Sequence, residues 1–232
     1  RDALQSRVPL RRLFDAPTVA GFAAALDSCM LTDDLLPLTR RSRESVLLPL
    51  SWTQQRLWVL NQLESSGAAY QLPWTASLTG RLDCNALQSA VHAVVARHES
   101  LRTSFRILAG DPVQFVEANA QVHVQIEDCH ADHEQVAARL RELIAVPFDL
   151  HQGPLFRVHL LRTGKQQHVL LLLLHHIIAD GWSMGVLFRE LAFFYNSKSQ
   201  RRTEKLPELP VQYADYAIWQ RQWFANMPCI FH

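Results

Sequence analysis

The stretch His168-Val169-Leu170-Leu171-Leu172-Leu173-Leu174-His175-His176-Ile177-Ile178-Ala179-Asp180-Gly181 decides how the chain is read. Its aliphatic core, Val169 to Leu174, falls far short of the roughly 20 residues that cross a bilayer and predicts a strand buried on both faces. Just upstream, Phe156, Val158 and Leu160 alternate with Arg157 and His159, and Thr163-Gly164 supplies a turn, so the two segments predict a hairpin. Just downstream, Asp180-Gly181 turns the chain toward a helix expected from about Ser183 to Tyr195. A loop between a buried strand and a helix is a place from which an imidazole can project into a cleft.

Further upstream, strand and helix periodicities alternate. Thr53 to Leu63 predicts a helix, and Pro73 to Gly80 sets Trp74, Ala76 and Leu78 against Thr75, Ser77 and Thr79 in the period-2 pattern of a half-buried strand. Asp83 is the expected N-cap of a helix whose Ala86, Leu87, Ala90, Val91, Val94 and Val95 form one apolar stripe. Short strands are expected near Ser104 to Ile107, Pro112 to Val116 and Val122 to Ile126, then a helix from about His133 to Ile144 capped by Asp132. A last helix, Val211 to Trp223, follows the polar loop Asn196 to Pro210. The pattern predicts an α/β fold, a mixed sheet flanked by helices.

This body, residues 49 to 225, is preceded by two segments of different composition. Residues 1 to 28 hold Val8 to Phe14 and, after Asp15-Ala16-Pro17-Thr18, a helix expected from Val19 to Leu26, too little to form a core alone. Residues 29 to 48, with Asp33-Asp34, Pro37 and the polar run Thr39 to Ser45, predict a linker. Across all 232 residues 23 Lys and Arg nearly balance 22 Asp and Glu, so the net charge of +1 offers no field for nucleic acid or an anionic membrane. The four cysteines, Cys29, Cys84, Cys129 and Cys229, are far apart and predict reduced thiols in a cytoplasmic protein. The first residue, Arg1, suggests a piece of something longer.

Chance predicts roughly 0.5 His-His pairs in such a chain, but about one in a thousand for His-His followed by Asp180-Gly181 at this spacing. An imidazole with a pKa near 6.5 can accept a proton at neutral pH; the competing reading is a hydrogen-bonded structural pair with a helix-opening turn. Gly181-Trp182-Ser183-Met184-Gly185 matches a GxSxG nucleophile elbow, but the strand does not run directly into Ser183, and His176 and Asp180 precede it, against the order of that fold. Cys129, His130 and His133 form a C-H-x-x-H cluster without a fourth ligand nearby, which reads as a polar loop rather than a metal site.

His175-His176-Ile177-Ile178-Ala179-Asp180-Gly181 also resembles the HHxxxDG signature of nonribosomal peptide synthetase condensation domains. Ser51 to Trp58, Arg97-His98-Glu99-Ser100-Leu101-Arg102-Thr103-Ser104-Phe105 and Tyr213 to Trp219 resemble other motifs of that family, in order, and Pro147-Phe148-Asp149-Leu150 with Gly153-Pro154-Leu155 also fits. Residues 8 to 26 resemble the last helices of a peptidyl carrier domain, while 226 to 232 resemble neither. The resemblance implies the N-terminal lobe of a chloramphenicol-acetyltransferase-like fold and an acyltransferase that joins two thioesters through an amide.

It further implies His176 as the catalytic residue, a base or a positioner of the amine. His175, Asp180 and Gly181 would shape the site, with Asp180 paired to Arg97 or Arg102. No cofactor or metal is expected to bind; substrates would arrive on phosphopantetheine arms of upstream and downstream carrier domains, with an L-configured donor. A second lobe would be needed, so this chain alone is expected to be inactive. The rival readings are a CoA-dependent acyltransferase of the same fold and a non-catalytic carrier-interacting fragment.

Overall fold

The computed structural model describes residues 15–28, 37–43, 47–63, 69–129, 132–202 and 205–225. Packing separates Arg1–Pro37 from Leu38–His232. In the first unit α1 (Val19–Ser28) begins where Thr18 Oγ1 accepts the Gly21 N–H at 3.1 Å, an N-cap that follows from the Pro17-Thr18 pair. The expected segment Val8 to Phe14 lies outside the described residues, as does the tail 226–232.

The second unit runs β1 (Leu48–Pro49), α2 (Trp52–Leu63), β2 (Gln71–Thr79), α3 (Cys84–Arg97), a 3-10 turn (Glu99–Arg102), β3 (Thr103–Leu108), β4 (Asp111–Val116) and β5 (Val124–Asp128). It continues with α4 (His133–Ala145), β6 (Phe156–Gly164), β7 (Gln167–His175), α5 (Gly181–Ser199) and α6 (Tyr213–Ala225). The expected mixed α/β architecture is found: a four-stranded sheet in the order β2-β7-β6-β5, antiparallel except for the parallel β5–β6 pair. A separate antiparallel sheet, β1-β4-β3, accompanies it.

The leucine run lies in β7, between β2 and β6, and Leu171 to Leu174 are fully buried, each contributing about 2 kcal/mol relative to exposure. The apolar stripe of α3 belongs to the same core, behind a cap in which Asp83 accepts the N–H groups of Asn85 and Ala86. Leu57 and Trp58 of α2 also pack on that core, so both helices expected to cover the sheet do so. Gln54 of α2, buried, donates to Gln114 Oε1 at 3.1 Å and to the Ile177 carbonyl at 3.4 Å, tying the second sheet to the loop after β7.

Leu38 to Arg43, read from composition as linker, lies with the second unit. The Arg43 guanidinium donates at 2.7 Å both to Glu99 of the 3-10 turn and to Asp215 of α6, and the Arg41 N–H donates to Asp215 at 2.9 Å. Burial alone would raise the Asp215 pKa, but the bonds from Arg43, Gln212 and Arg41 hold it below the usual carboxylate range. An acidic residue on the buried face of α6 is explained by this cation, far away in sequence.

Candidate active site

The site grows from the end of β7. The His175 N–H donates to the Leu155 carbonyl at 3.0 Å and the His176 N–H to the Tyr70 carbonyl at 2.7 Å, so the two histidines are pinned from neighbouring segments before the chain turns. Their side chains part there: His175 is fully buried and His176 is exposed.

His175 is a structural element of the core by its contacts. Its ring stands nearly perpendicular to that of Phe148 with centroids 6.3 Å apart, and Nδ1 accepts the Ile177 N–H at 3.1 Å. That bond leaves the proton of the neutral ring on Nε2, an atom with no hydrogen-bond partner among the described residues. Burial, reinforced by His176, pushes the His175 pKa down to about 4, so the ring is neutral at pH 7. The ring of His176, by contrast, makes no hydrogen bond among the described residues and is accessible from outside.

Asp180 opens α5. Its Oδ1 accepts the Ser183 N–H at 2.8 Å and the Ser183 hydroxyl at 2.6 Å, while its own N–H donates to Ser183 Oγ at 3.3 Å, a reciprocal capping box. These bonds, with a smaller contribution from His176, hold the Asp180 carboxyl below its ordinary range. The Ser183 hydroxyl is thereby committed to a cap, which removes the local arrangement that a GxSxG nucleophile requires. Gly181 occupies the first helical position, with open space where a Cβ would be.

The expected pairing of Asp180 with Arg97 or Arg102 is not formed. Arg97 donates to Glu190 of α5 at 3.1 Å, where His98 also bonds at 2.7 Å, and Arg102 donates to the Glu117 carbonyl at 2.6 Å. The hydrogen bonds to the Asp180 carboxylate come from the helix start, through Oδ1, and the arginines instead fasten α3 to α5 and the 3-10 turn to the segment after β4. No group of three or more metal-ligating side chains occurs among the described residues; His130 of the C-H-x-x-H cluster lies outside them. Cys84 and Cys129 are free of disulfides, and Cys29 and Cys229 are outside the described residues.

Sequence reasoning passed over Tyr213 of α6, whose hydroxyl lies 3.0 Å from Ser51 Oγ. Burial raises its pKa against the bond to Ser51, and the charge of Asp180 adds to the rise, which places this tyrosine within electrostatic reach of the loop. Its signal in the sequence was only its place at the start of a matching block.

Residues 45–226 match the model of the condensation domain. The chain belongs to the condensation-domain family. This condensation-domain chain is 38% identical over 222 residues to gramicidin S synthase 2 of Brevibacillus brevis, covering 96% of this chain and 5% of that protein. It is 37% identical over 226 residues to a dimodular nonribosomal peptide synthase of Bacillus subtilis, covering 97% of this chain and 9% of that one. Among solved structures it resembles the X-domain from teicoplanin biosynthesis, with a TM-score of 0.75 and 35% identity, over 82% of this chain and 41% of the other. The condensation-domain chain thus spans under a tenth of these synthases and under half of that structure. Among its described residues no helix is long and apolar enough to cross a membrane.

Proposed function

We propose that the protein to which this chain belongs forms an amide between two carrier-tethered thioesters in nonribosomal peptide synthesis, with His176 at the reacting centre. The observation that supports the role is the division between the two histidines: His175 is spent on the core, and His176 presents an exposed ring at the end of the central strand. In the reaction the acceptor's amine nitrogen attacks the donor's thioester carbonyl, the C–N bond forms as the C–S bond breaks, and the thiolate leaves. The proton lost by the nitrogen passes to the His176 imidazole or, if the ring only orients the amine, to the departing sulfur. A positioned base supplies about 10² to 10⁴ in rate, and holding both reactants in place supplies more.

The remaining residues support that centre. His175 and Asp180 fix the two ends of the loop, Gly181 starts α5 directly after it, and Arg97 and Arg102 hold the flanking elements. Substrates arrive on phosphopantetheine arms of an upstream and a downstream carrier domain, and the site is completed by a second lobe that walls off water. The chain by itself is inactive, and the working protein is cytoplasmic. The carrier-like pattern in residues 8 to 26 favours an L-configured donor.

A chimera in which residues 38 to 225 replace the matching lobe of a related condensation domain tests this, with dipeptidyl product followed by mass. Product is expected with an L donor, much less with a D donor, and none above background after His176→Ala. Unchanged turnover of the His176→Ala chimera would refute the role of His176; turnover by the 232-residue chain alone would refute the need for a second lobe.

A further inference from the structure

We infer that a cavity of about 330 Å³ beside the His176 loop is a side-chain pocket for one of the two thioester substrates, selecting an apolar side chain over a charged one. The inference rests on the amide-forming reading above. Leu101, Ile178, Ala179, Met184, Leu187 and Tyr216 are among its walls.

Position is the first argument. Ile178 and Ala179 lie between His176 and Asp180, and Met184 follows within the first turn of α5, so the loop that presents the histidine also forms the cavity wall. The electrostatic neighbours run the same way, from His176 to Asp180 and from Asp180 to Tyr213, which lines the cavity.

Chemistry is the second. No carboxylate, ammonium or guanidinium lines the cavity. Five of its polar side chains are already engaged: His98 with Glu190, Ser183 with Asp180, the Tyr213 hydroxyl with Ser51, the Tyr216 hydroxyl with Gln220, and Gln212 with the Arg97 carbonyl and the Glu99 N–H; the neutral Ser100 and Trp182 complete the polar lining. A charged side chain entering here would lose water and meet no side chain of opposite formal charge in the lining, whereas an apolar one would gain from leaving water.

Size and rigidity agree. The volume lies at the small end of ligand pockets, which suits a branched or aromatic side chain rather than a whole peptide. The walls are fastened to one another by the Arg97–Glu190 pair between α3 and α5 and by Gln212 beneath α6, so the pocket is formed before a substrate arrives.

The test titrates the 232-residue chain with N-acetylcysteamine thioesters of phenylalanine, leucine, aspartate and lysine, following amide shifts by NMR. The apolar pair is expected to bind at least about tenfold more tightly than the charged pair. Val186→Trp, which fills the cavity, should weaken the phenylalanine probe about tenfold or more; Met184→Glu, which places a carboxylate in the wall, should narrow the gap for lysine. Unfolding midpoints report whether each variant is folded, and either folded variant suffices. Equal binding of all four probes, or folded variants that bind as the unmodified chain does, would overturn the pocket. In the chimera, varying donor and acceptor in turn shows which substrate supplies the side chain, since only its preference moves with Met184→Glu. If neither moves, the cavity houses the second lobe and the inference falls. Failure of the amide-forming reading registers as retained turnover of the His176→Ala chimera, whereas failure of the pocket registers in probe binding by the chain with His176 unaltered, so the two are distinct.

Discussion

Replacing Arg43 by methionine keeps most of the aliphatic stem and removes the cation that two carboxylates share. The Glu99 and Asp215 side chains are 8% and 0% exposed, against 25% for Arg43, so neither acid can turn to water when its partner is lost. Removing one member of a buried ion pair typically costs about 3–5 kcal/mol. Asp215 would keep the N–H groups of Arg41 and Gln212, and Arg102 remains 3.9 Å from Glu99, which favours the lower end, about 3 kcal/mol. Urea unfolding of the chain at pH 7 should then show the midpoint lower by about 1.5 M, for a slope near 2 kcal/mol/M. The sign with pH is fixed by the direction of the shift at Asp215. A depressed carboxyl stabilises the fold above its unfolded pKa, and that contribution disappears as pH falls through the folded value. The gap between Arg43→Met and the unmodified chain should accordingly narrow in acid, as the abandoned carboxylates take up protons. Combining it with Glu99→Gln and Asp215→Asn should recover most of the loss at pH 7. A cost under about 1 kcal/mol, or a gap that does not shrink on acidification, would show that this cation does not carry the load assigned to it.

Two further outcomes are expected. With its pKa lowered to about 4, His175 stays neutral in the fold while an unfolded histidine protonates near 6.5, so stability falls as pH drops from about 6.5 toward 4. About 2 kcal/mol of the loss between pH 7 and pH 5 should vanish in His175→Gln, measured by urea unfolding at both values. Asp180→Ala should cost about 1 kcal/mol through the lost cap and raise amide exchange in the first turn of α5, as hydrogen exchange would report; an unaltered exchange rate would contradict the capping box.

The elements that local chemistry writes were legible in the sequence. Asp83 and Asp132 both cap the helices they precede, the α3 stripe is buried residue for residue, and the leucine run is the central strand. The split into two sheets was not legible, because β3 and β4 carry the same short alternation as β5 and only pairing separates them. The site divides along the same line. That a histidine and an aspartate flank a functional loop follows from their spacing, but which histidine is buried depends on Phe148 and Leu155 closing over one side of β7. The partner of Asp180 in this fold is local: Ser183, three residues on, donates both its N–H and its hydroxyl to Oδ1, where an arginine was expected. Arg43 lies in a run whose composition says solvent, and nothing in that run announces two buried acids more than fifty residues away.

The strand order β2-β7-β6-β5 also dictates when the fold can close. The strand in the middle is the last of the four to leave the ribosome, and Gln71, at the start of β2, finds its partner only when His175 has been made. Until then β2 and β6 have open edges, and the apolar faces of α3 have little to cover. Such late, long-range pairing slows folding and exposes intermediates to association. The same event that finishes the sheet therefore sets the next residue, His176, in its place, so a chain that stalls before β7 is at once unfolded and without its candidate reacting group.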